Sequence, residues 1–234
     1  MSKLRTGYDK IGFNQDNIID SMVKIKRILQ KHALKIRQKK FKKLMLNTQN
    51  VTILSSNCWG GELYHDAGLR FLSPTINLTF DPIDFLTFVK HISEIYNTTL
   101  LEEKTDKSYP VGLLKYSNGE CVRIYFVHYN SFEEAKNIFY KRALRITDKI
   151  AVLLMVSDLT KEIIDGFNTI PYKKICIYGD TSEKVLSNSQ FIQFKRIKTS
   201  KRDVLSFKSY LTGKRIIDEV DFDYYRFLFG ADSY

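Results

Sequence analysis

Between positions 18 and 36 the apolar residues Ile18, Met22, Ile25, Leu29, Ala33 and Ile36 follow steps of 4, 3, 4, 4 and 3. That period puts them on one narrow stripe of a helix. After position 46 the pattern changes to short apolar runs alternating with amphipathic stretches. Residues 51–55 read as a buried strand and 75–80 as a second. Asp81 then opens a helix, with Pro82 in its first turn, Asp84 near its positive end, and Ile83, Phe85, Leu86, Val89, Ile92 and Ile95 on its apolar face. A polar loop over 102–108 leads into a hairpin, "YPVGLLKY" and "CVRIYFVHY", turning at Ser117, Asn118 and Gly119. Ser131 and Glu134 form a capping box at the head of the next helix. Strands follow at 150–156, 174–178 and 190–194, with a helix at 160–167, and residues 202–229 predict one or two aromatic-rich helices.

Strands alternating with helices of this length predict an α/β fold: a mainly parallel sheet covered on both faces, with one antiparallel hairpin added. The basic amphipathic helix precedes it, which divides the chain into an extension, 1–46, and a single α/β domain, 47–234. In such sheets ligands bind beyond the carboxyl ends of the strands. The loops at 56–64, 81–84, 128–131, 157–160 and 179–182 are therefore the candidates.

Charge sharpens the division. The formal net charge is +11, yet residues 24–43 alone hold ten basic residues and no acid, so the remainder is close to neutral. A basic helix with an apolar stripe suits an anionic membrane surface, where each cation near the headgroups contributes roughly 1 kcal/mol. Packing of the stripe on the chain's own domain is the competing reading. Phe41 is the only aromatic residue in the window, so nucleic acid is the weakest partner. Three scattered cysteines and no C-x-x-C pair argue against a disulfide framework and give no metal site, and no apolar run is long enough to span a bilayer. The expected location is cytoplasmic, peripheral at the inner membrane face.

The blocks "ILSSNCWGGELYHDAGL", "SPTINLTF", "DFLTFVKHI", "YPVGLL" and "VRIYFVHYNSFEEAKNIFYKRALRI" together resemble a bacterial family of unknown biochemical activity whose members occur among capsule and exopolysaccharide biosynthesis genes. The resemblance covers roughly residues 50–179 and places the basic helix outside the shared region. Tyr140 stands where the family more often carries tryptophan. The resemblance implies a three-layer α/β/α, Rossmann-like fold, in agreement with the pattern, and a role in surface polysaccharide synthesis, and no particular reaction.

The stretch "SSNCWGGELYHDAG" concentrates the chemistry. Cys58, just past a strand end, is a candidate nucleophile if a helix start lowers its pKa. His65 or His128 would be its base, and Asp66, Asp158 or Asp180 would orient that histidine. In the blander reading Cys58 is buried beside Trp59, with Gly60 and Gly61 permitting a tight turn. A third reading makes the loop a binding surface. Backbone amides at Gly60 and Gly61 would approach a phosphate, and Trp59 or Tyr64 would stack on a base or sugar ring. Asn57, Glu62, His65, His128 and Tyr129 would supply polar contacts, and Arg142 and Arg145 would face a diphosphate. The pair Asp221 and Asp223 mimics a D-x-D metal motif but sits where a helix starts.

These readings combine into a transferase of surface polysaccharide assembly, with glycosyl transfer favoured over Cys- or His-dependent O-acyl transfer. Glu62 or His128 would act as base toward the acceptor hydroxyl. The donor is expected to be a nucleotide sugar, with no other cofactor assigned. Expected partners are a lipid-linked saccharide acceptor, an anionic membrane met through residues 18–46, and other polysaccharide-assembly proteins. A non-catalytic assembly factor is the alternative from another class.

Overall fold

The structure is a computed structural model and describes residues 15–42, 50–184 and 190–230. Along the chain run helix α1 (Gln15–Lys42), strand β1 (Thr52–Ser55), α2 (Trp59–Ala67), α3 (Pro82–Lys90), strands β2 (Thr99–Glu103), β3 (Val111–Lys115) and β4 (Cys121–Tyr125), α4 (Phe132–Ala143), β5 (Ile150–Asp158), α5 (Lys161–Thr169), β6 (Lys173–Asp180), β7 (Phe191–Gln193), α6 (Arg196–Thr199) and α7 (Tyr224–Phe229). Single 3-10 turns cover Ile92–Asn97 and Ile216–Glu219.

A four-stranded parallel sheet in the order β1-β5-β6-β7 forms the middle layer. Successive side chains on a strand point to opposite faces, so the apolar runs of β1, β5 and β6 feed two cores. Leu54, Val152, Leu154 and Cys176 pack with α3, α4, α5 and the second sheet. Ile53, Ala151, Leu153, Ile175 and Ile177 pack with α2, Phe41 of α1 and the carboxyl-terminal segment. This is the expected three-layer α/β/α arrangement. The hairpin differs from expectation: β2, β3 and β4 form their own antiparallel sheet in place of extending the parallel one.

Local chemistry accounts for the boundaries. Ser131 and Thr160 cap α4 and α5, accepting from the backbone N–H of Glu134 and Ile163. Gly119, with φ +88°, makes the tight turn between β3 and β4. The segment 75–80, expected to be a strand, is instead a turn closed by one bridge between Thr79 and Tyr125. Asn77 adopts φ +65°, a left-handed conformation that breaks an extended path. β2 occupies part of the stretch expected to be a polar loop, because only Leu100 of its five residues is buried and the run therefore looks hydrophilic. The tail holds less helix than expected: the six residues of α7, capped by Asp223, and one 3-10 turn.

α1 meets the domain through a face that shares only Ala33 with the apolar stripe. Ala33, Arg37 and Phe41, four residues apart, are buried against α2 and the carboxyl-terminal segment. Their mean direction lies roughly 80° around the helix from the axis of the stripe. Of the stripe residues only Ala33 is buried, and Ile18, Met22, Ile25 and Leu29 remain 46%, 65%, 57% and 38% exposed. No helix among the described residues is long and apolar enough to cross a membrane.

Candidate functional site

A cleft of about 1060 Å³ opens between α1, the first turns of α2 and the segment carrying residues 202–215. Lys26, Arg27, Gln30, Lys31 and Leu34 of α1 form one wall, and Arg202, Asp203, Phe207, Tyr210 and Arg215 form the facing one. Cys58, Glu62 and His65 come from the strand-to-helix motif, and His128 reaches the same cleft from the turn after β4. Four of the sequence candidates thus converge although they arise from two separated segments.

The floor is an ion-pair network. Arg215 donates through Nη2 to Glu62 at 2.5 Å and to Asp66 at 2.9 Å, and through Nε to Asp66 at 3.0 Å. From the other side Arg37 donates through Nε to Asp66 at 2.6 Å and through Nη1 to Asp218 at 2.5 Å and the Gly213 carbonyl at 2.7 Å. Tyr225 also donates to Asp66, at 2.9 Å. Asp66, expected to orient a histidine, is instead 1% exposed and shared between two arginines. Gly213 holds φ +67°, and a Cβ there would lie 2.7 Å from the Ala33 carbonyl, so α1 presses directly on this loop.

Electrostatics separates the candidates. Burial pushes the Glu62 carboxyl above the ordinary carboxylate range, against the pull of Arg215, and Asp66 adds to the rise. Its side chain is 37% exposed, so it faces the cleft as a comparatively strong base. Burial, then the charges of Glu62 and Asp203, push the Cys58 thiol up to about 11. The expected lowering at a helix start is overturned, because two carboxylates and desolvation oppose the thiolate. Cys58 caps α2 through its backbone only, its carbonyl accepting from the N–H of Glu62 at 3.1 Å.

Other candidates belong to the scaffold. Trp59 and Tyr64, expected as stacking faces, are 1% and 0% exposed. Trp59 packs edge-on against Tyr224, and the Tyr64 hydroxyl accepts from the N–H of Ile53 and donates to the Val51 carbonyl. Gly60 and Gly61 lie inside α2, not in a phosphate-binding loop: a Cβ on Gly60 would meet the Cβ of Ser55 at 2.9 Å, and one on Gly61 would sit 3.5 Å from Ile76. Asn57 accepts from the N–H of Trp59 at 3.0 Å and so shapes the turn into α2. Tyr129 is buried and its hydroxyl accepts from Arg142 at 2.8 Å, while Arg142 also donates to the Ile76 carbonyl at 2.9 Å. Arg145 donates to the Phe71 carbonyl at 3.3 Å. Neither arginine lines the cleft, since both tie α4 to the chain at 71–76. Asp158 and Asp180, neighbours across β5 and β6, pair with Lys198. Among the described residues no His, Cys, Asp and Glu cluster is arranged to hold a metal ion.

Sequence reasoning missed the cations that do line the cleft. Lys26, Arg27 and Lys31 were visible only as part of a basic run, and Arg202 and Arg215 carried no local signal. The Phe207 and Tyr210 rings also lie here, with the Arg215 guanidinium 4.2 Å over Phe207.

An uncharacterized protein of Haemophilus influenzae is 29% identical over 179 residues, covering 76% of this chain and 84% of that protein. The family described as a domain of unknown function, DUF1919, matches residues 25–228. That span begins within α1, so the cleft's basic wall lies inside the shared region, contrary to the expectation that the helix lies outside it. With nearly all of the sheet, the cleft and its ion-pair floor inside the match, the chain belongs to the DUF1919 family.

Proposed function

We propose that the protein is a transferase of cell-surface polysaccharide synthesis that moves a sugar from a nucleotide sugar to a lipid-linked acceptor. The observation that carries this reading is the convergence of Glu62 and His128 in one cleft rich in cations. The polysaccharide setting is supported by the sequence resemblance. In this scheme the Glu62 carboxylate takes the proton of the acceptor hydroxyl as that oxygen attacks the anomeric carbon. The bond from that carbon to the diphosphate oxygen breaks, and the diphosphate leaves with the electron pair, met by the basic walls. A carboxylate whose pKa is raised by burial is a better base near neutral pH than an exposed one. His65 and His128 stand on the same cleft to hold the acceptor.

Covalent acyl transfer through Cys58 is the less favoured route, because a thiol with a pKa near 11 is almost wholly protonated at pH 7. The exposed stripe of α1 favours attachment to an anionic membrane at its cytoplasmic face, beside the lipid-linked acceptor and the other assembly proteins.

The test is thermal stabilisation by a panel of nucleotide sugars, followed by mass analysis of a lipid-linked saccharide incubated with the stabilising one. A gain of one sugar is expected, and Glu62→Gln should lower kcat by roughly 10²–10⁴-fold. The acid limb of the wild-type pH profile should lie above the ordinary carboxylate range, since Glu62 must be deprotonated to act. Neither stabilisation nor transfer with any nucleotide sugar would overturn the reading, and acyl transfer from an acyl-CoA that Cys58→Ala abolishes would restore the acyl route.

A further inference from the structure

We propose that the cleft-facing side of α1 is a diphosphate-binding wall, formed by Lys26, Arg27 and Lys31 and completed across the cleft by Arg202. The proposal deepens the transferase reading and rests on it for the reaction, though not for the binding.

Glu62 is matched by Arg215. Among the described residues no carboxylate lies within ion-pair distance of Lys26, Arg27, Lys31 or Arg202. These four cations therefore face a concave space whose one further carboxylate is Asp203. Cations lining a concave surface focus their field into it and raise the local concentration of anions. Positions 27 and 31 are one helical turn apart, about 5–6 Å between their Cβ atoms, and position 26 adjoins them, so three cations from a single element line one side of the cleft. Two linked phosphates carry a comparable charge over a comparable length. Arginine adds a fork suited to phosphate oxygens, and lysine a mobile point charge.

The wall's placement gives it a second property. The same half of α1 carries the stripe residues Ile18, Met22 and Ile25 on another side, all exposed. A diphosphate at this wall thus lies within one helix diameter of the surface that the apolar stripe would touch.

The experiment is titration calorimetry of the full chain with inorganic pyrophosphate, then with uridine diphosphate and with farnesyl diphosphate. Saturable binding of pyrophosphate, with inorganic phosphate at least tenfold weaker, is expected. The triple variant K26Q/R27Q/K31Q should weaken pyrophosphate at least tenfold, and Arg202→Gln several-fold. The charge-matched control K35Q/K39Q/K42Q removes three exposed cations from the same helix away from the cleft and should stay within twofold of wild type. Equal weakening in the two triple variants, or no saturable binding in the wild type, overturns the proposal. Tighter binding of uridine diphosphate than of the farnesyl compound identifies the donor as the diphosphate's source, and the reverse identifies the lipid-linked acceptor. Sugar transfer that persists unchanged in K26Q/R27Q/K31Q would sink this wall and leave the transferase reading standing. Pyrophosphate binding without any transfer would do the opposite.

Discussion

Gly60 and Gly61 stand side by side in α2, and the structure gives them opposite sensitivities. A methyl group on Gly60 would press on the Cβ of Ser55, a backbone-anchored atom that cannot swing aside, whereas one on Gly61 would make ordinary contact with Ile76. Gly60→Ala should therefore destabilise the protein by about 1–3 kcal/mol through overpacking. Gly61→Ala should be neutral or stabilise it by up to about 1 kcal/mol, since alanine favours a helix interior. Urea denaturation of the two variants checks the pair, and equal effects would refute the close approach of α2 to β1. In the sequence the two glycines are indistinguishable, because which of them faces the sheet depends on where the helix begins. The same blindness affected Trp59: a lone tryptophan beside glycines reads as an exposed ring until the helix turns it onto Tyr224. Glu62, His65 and His128 were legible as candidates because their residue types are scarce and follow strand ends.

At the scale of elements, the join between α1 and the rest of the fold depends on Arg37. It reaches Asp66 on α2, Asp218 on the Ile216–Glu219 turn, and the hydroxyl of Tyr225 on α7. Breaking a buried pair by deleting one partner commonly costs about 3–5 kcal/mol, so Arg37→Met should lower the thermal midpoint markedly and loosen α1 first. Burial pushes the Asp218 carboxyl up, but hydrogen bonds from Arg37 and Tyr224 outweigh it and hold the group below the ordinary carboxylate range. Its folded pKa is thus the lower one, and its contribution is complete above the unfolded value of about 3.9 and lost as pH falls through the folded value. Acid unfolding below about pH 4 should accordingly be shallower in Asp218→Asn than in wild type. Most helices and parallel strands were legible because capping residues and apolar runs are local signals. The segment at 75–80 misled through its composition, since a threonine- and isoleucine-bearing run looks extended until Asn77 turns it back. The Arg37 clamp had no such signal, because its partners lie 29 to 188 positions away.

For the whole molecule, the order β1-β5-β6-β7 steps across the sheet in one direction. Among the described strands no reversal of order opens a crevice of the kind that doubly wound sheets use for ligands. The cleft forms instead within an outer layer, between α1, α2 and the chain at 202–215. That explains why the rule of strand ends found one side of the site and missed the other. The exposed stripe gives a prediction at this scale. The protein should float with anionic vesicles at low salt, lose that binding as salt rises, and bind more weakly as the double variant M22S/I25S. Absence of wild-type flotation would remove membrane attachment. The contact through Ala33, Arg37 and Phe41 has a consequence in time as well as in space. Backbone amides of α1 near these residues can open only when the domain opens, while those between 18 and 29 need only local fraying. Deuterium uptake along this one helix should therefore divide into a fast amino-terminal half and a slow carboxyl-terminal half. A saturating diphosphate should slow the residues from 26 to 31 toward the pace of the domain, so that the occupied cleft reads out as a longer protected helix.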